Sequence, residues 1–242
     1  MKKIAIVSGG SGLVGTQLLH QLFQEDRYGY VISVGRRELT LKHNKLVQVQ
    51  VDFDNLNGID LEEKLREKDI GGANHQLISS LRSRDFVMHA FCALGTTIKD
   101  AGSREAFFKI DHDYVISFAR WVHHLGAGKF LYVSAIGADP QSSIFYNKVK
   151  GQVEEDLKSV PFEYLGIFQP SILLGNRREN RLGEEVGKVV MKAVTAIGIY
   201  KKYKPIYNHQ VARAMIYHAN KAGGPARETI TSREMQELDK DK

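Results

Sequence analysis

Cysteine is almost absent from this chain: Cys92 stands alone among 242 residues, which excludes an internal disulfide framework and fits a reducing compartment. Proline is scarce as well, and five prolines leave no Pro-rich linker or disordered tail; only the polar end after about Glu237 reads as frayed. No apolar run approaches the roughly 18 residues that a membrane span requires. The first apolar stretch, Ile4 to Val7, is far too short for a signal-peptide core. These absences predict a soluble, cytoplasmic protein. The net charge is +6, yet 34 Lys and Arg are interleaved with 28 acids and form no long basic tract, which speaks against a nucleic-acid partner and for small anions. Nine histidines show no His-Glu-x-x-His or comparable spacing, so no metal site is expected.

What is present is an alternation of short β-branched runs and helical stripes. Residues 3–8, Tyr30 to Val34, Val47 to Val51, Phe86 to Phe91, Phe130 to Ser134 and Phe162 to Phe168 read as strands covered on both faces. Between them, Val14, Leu18, Leu19, Leu22 and Phe23 fall at helical spacing, and so do Phe107, Ile110, Tyr114, Phe118 and Val122 on a long helix from about Ser103 to Leu125. A further helix beginning near Ser143 sets Phe145, Val149, Val153 and Leu157 about one turn apart. Strand–helix alternation through glycine-bearing turns predicts an α/β fold: a Rossmann-type, doubly wound parallel sheet with helices on both faces. We expect a single domain over 1–242, with its core in 1–168. Helices near Leu182 to Ala196 and His209 to Lys221, with little strand between them, predict a small C-terminal lobe over 169–242 that covers a substrate. Residues 60–84 read as a surface insertion with two short helical patterns around Gly71 and Gly72.

Between the first strand and first helix stands Ser8-Gly9-Gly10-Ser11-Gly12-Leu13-Val14-Gly15. In that setting the glycines permit a tight turn, let the backbone approach a pyrophosphate, and leave helix N–H groups aimed at the anion. Gly9, Ser11, Gly12, Leu13, Val14 and Gly15 are therefore candidate phosphate-cradle residues. The second strand ends in Gly35-Arg36-Arg37, where NAD-preferring proteins place an acid on the ribose 2′-hydroxyl. Arg36 and Arg37 instead offer planar donors to a 2′-phosphate, so NADP(H) is the expected cofactor. Asp52 and Phe53 follow the third strand, placed to meet the adenine by carboxylate and ring; Asp52 alternatively caps the next turn.

Tyr146-Asn147-Lys148-Val149-Lys150 puts a phenol and an ammonium on one helix face. A nearby cation favours the phenolate and lowers a pKa that is otherwise near 10, which suits Tyr146 to general acid/base work. Ser134, at a strand's carboxyl end, offers a hydroxyl to hold the same carbonyl oxygen.

These segments, together with Phe91 to Thr97, Asp111 to Val115 and Ser134 to Asp139, resemble the short-chain dehydrogenases/reductases, in their atypical branch, over roughly the first 175 residues. The resemblance implies that Tyr146 is the acid/base, that Lys150 binds nicotinamide ribose hydroxyls and tunes Tyr146, and that Ser134 orients substrate. It also implies that Leu94, Gly95, Thr96 and Thr97 line the nicotinamide half, and that Pro170, within Gln169-Pro170-Ser171, packs beside the nicotinamide amide. The chain departs from the family pattern at Ser8, where threonine is common, and at Ala93-Leu94-Gly95, where Asn-Ala-Gly is usual. The helix asparagine of the classical proton relay has no counterpart placed here.

The expected function is NADPH-dependent reduction of a carbonyl, or oxidation of an alcohol, on a small substrate. A nucleotide-sugar epimerase or dehydratase would use the same residues, and an NADPH-sensing regulator would bind the cofactor without turnover. Arg177, Arg178 and Arg181 read equally as an acidic-substrate site and as solvated charge. Residues 189–200, apolar and flanked by lysines, read first as a cover for the pocket or a surface for a homodimer or regulatory protein partner, and second as an interfacial membrane segment. Cys92, next to the cofactor loop, reads first as a small buried hydrophobe and second as a redox-sensitive thiol.

Overall fold

The computed structural model describes residues 3–69, 72, 74–175 and 204–238. Strand β1 (Lys3–Ser8) is apolar on both faces and buried from Ile4 onward. Helix α1 (Leu13–Gln24) follows, then β2 (Tyr28–Gly35) and β3 (Leu46–Gln50). A 3-10 turn (Phe53–Gly58) leads into α2 (Leu61–Glu67) and α3 (His75–Ser83). Strand β4 (Met88–Cys92) precedes α4 (Ile98–Ala101), α5 (Arg104–Phe108), a π turn (Lys109–Asp113) and α6 (Tyr114–His124). Then come β5 (Ala127–Val133), α7 (Phe145–Leu157), β6 (Tyr164–Gln169) and β7 (Leu173–Leu174). The described chain ends with β8 (Ile206–Tyr207), α8 (Asn208–Asn220), β9 (Arg227–Thr231) and α9 (Ser232–Glu237).

The main sheet is seven-stranded, in the order β3-β2-β1-β4-β5-β6-β9, and every neighbouring pair is parallel. This is the predicted doubly wound Rossmann topology. Strand order reverses between β1 and β4, which opens a crevice at their carboxyl ends, where sheets of this kind bind ligands. Helices cover both faces. On one face Leu18, Leu19 and Leu22 of α1 pack with Val211, Ala214 and Met215 of α8; on the other, Val115 and Phe118 of α6 pack with Val153 and Leu157 of α7. Truncating any one of the buried leucines to alanine removes contacts worth roughly 2–5 kcal/mol.

Two expectations change here. Residues 206–238 do not stand off as a lobe: β9 pairs with β6 in the main sheet, and α8 lies against α1. Strand β9 escaped the sequence reading because it is an edge strand in which only Ile230 is buried, so it lacks the apolar run of an interior strand. The predicted helix at 182–196, the arginines at 177–181 and the apolar stretch 189–200 lie outside the described residues. The insertion at 60–84 does hold two short helices, but they are not a surface addition. Leu61, Leu65, Leu77 and Ile78 enter the core, and Trp121 Nε1 donates to Ile59 O at 2.9 Å.

Candidate active site

The phosphate cradle is built by close approach. Gly9 has φ +83°, and a Cβ there would lie 2.3 Å from Ala93 O, so the loop after β1 is pressed against the loop after β4. A Cβ on Gly15 would lie 2.0 Å from Gly9 O. The same loop is therefore pressed against α1 from the other side, and both positions require glycine. Gly12 caps α1 without any side-chain hydrogen bond, and the first turn carries no acid; its N–H groups and the positive end of the helix dipole remain available to an anion. Thr16 Oγ1 donates to Gly10 O and Gly12 O at 3.1 and 2.9 Å, which fixes the loop on the helix. Ser11 is exposed and Val14 is buried beneath the turn. Nothing in this cradle conflicts with a dinucleotide pyrophosphate, and the crowding at Gly9 and Gly15 keeps the backbone close enough to reach one.

At the adenine end the picture is mixed. Arg36 and Arg37 are exposed just past β2, and among the described residues neither forms an ion pair. Phe53 does not face a ligand: it is 4% exposed and stacks on Tyr114 with centroids 5.2 Å apart. Asp52 takes its alternative role as a cap, accepting from Asp54 N at 3.0 Å and Asn55 Nδ2 at 2.8 Å. The ring-on-adenine expectation for Phe53 is thus corrected, because packing on the helix beneath claims the side chain.

Helix α7 carries the Tyr-x-x-x-Lys pair. Gly151 is needed there because the loop after β5 crosses the helix: a Cβ would lie 2.2 Å from Pro140 N. Tyr146 is 37% exposed, and its ring is tilted against Phe107 at 5.8 Å. Lys150 is buried. Its Nζ donates to Tyr132 Oη at 3.1 Å and lies 2.8 Å from Asp111 Oδ1, with side-chain exposures of only 4% and 1% for the pair. Asp111 Oδ2 accepts the Thr96 N–H at 2.7 Å, so the loop after β4 is tied to the same carboxylate. Gly95 lies against both charges: a Cβ on it would be 3.5 Å from Asp111 Oδ1 and 3.8 Å from Lys150 Nζ.

The charges act on one another. Burial works against the Lys150 ammonium, but Tyr132, Asp111 and Tyr146 outweigh it and hold it well above its ordinary value. Burial pushes the Tyr146 phenol up and Asp111 adds to this, while Lys150 pulls it down; the net direction is upward. Because the residue keeps 37% of its surface in contact with solvent, water screens part of that effect. The sequence expectation that Lys150 lowers this phenol is therefore corrected: burial, joined by Asp111, outweighs the cation, and the protonated phenol is the resting form.

Ser134 is also placed differently. It is 4% exposed, and its hydroxyl donates to Glu154, one turn beyond Lys150 on α7, in a short contact. Gln169 Nε2 donates to both oxygens of the same carboxylate at 3.0 and 3.1 Å. Burial raises the Glu154 pKa while these two donors oppose the rise. The Ser134 hydroxyl thus serves the β5–α7 junction and is not directed at the phenol. Thr97 caps α4 through Asp100 N at 3.0 Å. Pro170 is buried, and its carbonyl accepts the Ile136 N–H at 2.9 Å. Leu94 is half-buried. Cys92 is fully buried with its thiol pushed up to about 12 by desolvation, as a structural cysteine should be. Among the described residues there is no group of three or more side chains able to hold a metal ion, and no helix long and apolar enough to cross a membrane.

Asp111 is the residue the sequence reading left without a role. It lies in the π turn and is buried in series with Phe107, Val115, Phe118 and Val122. The available signal was an acid four residues after one apolar anchor and four before another.

A glycine cradle at the switch point of a seven-stranded parallel sheet, with a Tyr–Lys helix beside it, defines a Rossmann protein of the NAD(P)-binding, short-chain dehydrogenase/reductase type. The chain belongs to the NAD dependent epimerase/dehydratase family, whose sequence profile matches residues 5–232. It is similar to the rat protein HTATIP2, 29% identical over 99% of this chain and 90% of that one. It is also similar to Protein FMP52-1, mitochondrial, of Scheffersomyces stipitis, 31% identical over 97% of both chains. These relatives bear out the resemblance to atypical members. Among solved structures, the UDP-N-acetylglucosamine 4-epimerase of Methanobrevibacter ruminantium in complex with UDP-N-acetylmuramic acid superposes with a TM-score of 0.63 at 16% identity, covering 96% of this chain and 77% of that one. A short-chain dehydrogenase of Burkholderia cenocepacia in complex with NADP does so with a TM-score of 0.57 at 13% identity, covering 99% and 92%. The yeast relatives, including FMP52 of Saccharomyces cerevisiae, are named mitochondrial, which overturns the cytoplasmic expectation. Its basis was too coarse: one buried thiol suits any reducing compartment.

Proposed function

We propose that this protein is an NADPH-dependent oxidoreductase that reduces the carbonyl of a small substrate, with Tyr146 as general acid and Lys150 as its electrostatic partner. The observation that carries this reading is the pairing of a partly exposed tyrosine with a buried, charge-compensated ammonium one helical turn away, beside the loop after β4 that faces the glycine cradle. Gly9, Gly12 and Gly15 hold the pyrophosphate on the N-terminus of α1, and Arg36 and Arg37 receive the 2′-phosphate. Leu94 to Thr97 and Pro170 flank the nicotinamide. When bound, the dinucleotide supplies the hydride that reaches the carbonyl carbon. Tyr146 gives its phenolic proton to the carbonyl oxygen as the C=O π bond breaks, so the new C–H and O–H bonds balance oxidation of the cofactor. Tyr146 is both the proton donor and the hydrogen bond that polarises the carbonyl, since the Ser134 hydroxyl is engaged by Glu154.

A second reading has its own support. Family membership and the likeness to a nucleotide-sugar epimerase suit a reaction in which the hydride is withdrawn and then returned. The two readings differ in cofactor balance. Purified protein incubated with NADPH and a panel of aldehydes, ketones and UDP-sugars is expected to consume NADPH stoichiometrically with one carbonyl class, and Tyr146→Phe to lower that rate by at least 100-fold. In a parallel incubation of the UDP-sugars with NAD+ or NADP+, conversion to the epimer with no net change in cofactor decides for the epimerase.

A further inference from the structure

We propose that Asp111 is the counter-ion that keeps Lys150 charged and aimed at Tyr146, a positioning residue acting through Lys150 and through the loop after β4. This rests on the reading of Tyr146 and Lys150 as the working pair. Around the Lys150 ammonium, every packed element contributes an identifiable group: Tyr132 from β5, Cys92 from β4, Tyr146 from α7 itself, and Asp111 from the π turn. The Cys92 thiol is pushed up to about 12, and burial also pushes the Tyr132 phenol up, so both are neutral at working pH. That leaves Asp111, at 2.8 Å, as the anion among the described residues that balances a fully enclosed lysine. A lysine so enclosed without a counter-charge gives up its proton readily.

The geometry is built to hold that carboxylate still. Asp111 is fully buried within the π turn, a feature that recurs at functional sites. His112 braces the turn on both sides, with Nδ1 2.8 Å from Asp113 and Nε2 2.9 Å from Asp156 of α7. One Asp111 oxygen faces the ammonium and the other takes the Thr96 N–H at 2.7 Å, so the acid joins α7 to the loop after β4.

Asp111→Asn keeps the shape and the acceptor for Thr96 while deleting the charge. Titration of Lys150 by 13C NMR in the cofactor-free protein, with Lys150→Met assigning the resonance, is expected to show the ammonium intact through pH 10 in the native chain. In Asp111→Asn its midpoint should fall by at least 1.5 pH units. Turnover of the variant should recover at pH 6 and decline toward pH 9, with kcat affected and the NADPH Kd changed less than threefold. A Lys150 that titrates identically in both proteins overturns the proposal, whatever the turnover. A shifted midpoint with no turnover by the native chain upholds the counter-ion and sinks the reductase reading instead. If Asp111→Asn fails to fold, the Asp111→Asn/Lys150→Met double variant decides: a Tm at or above that of Lys150→Met alone shows that the two charges answer each other, and a further fall overturns the pairing.

Discussion

Gly15→Ala is the substitution whose consequence the structure fixes most tightly. The added Cβ would lie 2.0 Å from Gly9 O, 2.7 Å from Gly9 C and 3.0 Å from Gly10 Cα. All three are backbone atoms, and the first is more than an ångström short of the 3.4 Å at which ordinary contact begins. The loop cannot retreat, because a Cβ at Gly9 would already lie 2.3 Å from Ala93 O and 2.7 Å from Leu94 N. Either the loop or α1 must therefore move by about an ångström. Overpacking of this kind costs roughly 1–3 kcal/mol of stability, and a misplacement of that size in a positioning element costs on the order of 100-fold in function. NADPH binding followed by fluorescence titration should weaken by at least 100-fold, with a fall in Tm. Gly58→Ala, with nothing within 4 Å of its Cβ, is the control and should change neither. A Gly15→Ala protein that binds NADPH within threefold of the native chain would refute the cradle.

Three further outcomes follow from the site and the core. Arg36→Ala with Arg37→Ala should weaken NADPH binding by about 10- to 100-fold, the worth of one or two charge-assisted hydrogen bonds, and leave NADH binding unchanged; equal losses for both would contradict the 2′-phosphate assignment. Ser134→Ala should lower stability by about 1 kcal/mol through loss of the Glu154 hydrogen bond, read as a shift in urea midpoint, while kcat changes less than threefold; a kcat loss near that of Tyr146→Phe would return Ser134 to the reacting atoms. His89, buried with Nδ1 2.8 Å from Tyr28 Oη, is held neutral by desolvation, its pKa lowered from 6.5 to about 3. The unfolded chain therefore binds the extra proton first, and the stability present above pH 6.5 declines as pH falls toward 3, at up to about 1.4 kcal/mol per unit. His89→Gln should flatten that part of the urea-midpoint profile, and an unaltered slope would show that His89 does not govern it.

The parallel sheet was legible because its interior strands are short β-branched runs that end in glycine turns, and β1 with its cradle is the plainest case. Strand β9 was not, since Arg227-Glu228-Thr229-Ile230-Thr231 buries one side chain and reads as loop. The Tyr–Lys pair was legible because i,i+4 spacing fixes a helix face. What spacing could not supply was the partner across the fold: Asp111 reaches Lys150 through the packing of the π turn on α7, and Ser134 meets Glu154 through the packing of α7 on β5. Phe53 failed for the same reason, because a ring beside a cofactor loop and a ring under it have the same sequence.

Hydride transfer to a carbonyl carbon with Tyr146 as proton donor is read most directly by isotope. NADPH deuterated at the transferable C4 position, incubated with the carbonyl class that the protein consumes, should deliver one deuterium, as deuteride, to the product alcohol carbon per cofactor oxidised, and Tyr146→Phe should reduce the rate of that incorporation at least 100-fold. Incorporation at an undiminished rate in Tyr146→Phe, or tight NADPH binding with no deuterium delivered to any carbonyl, would contradict it.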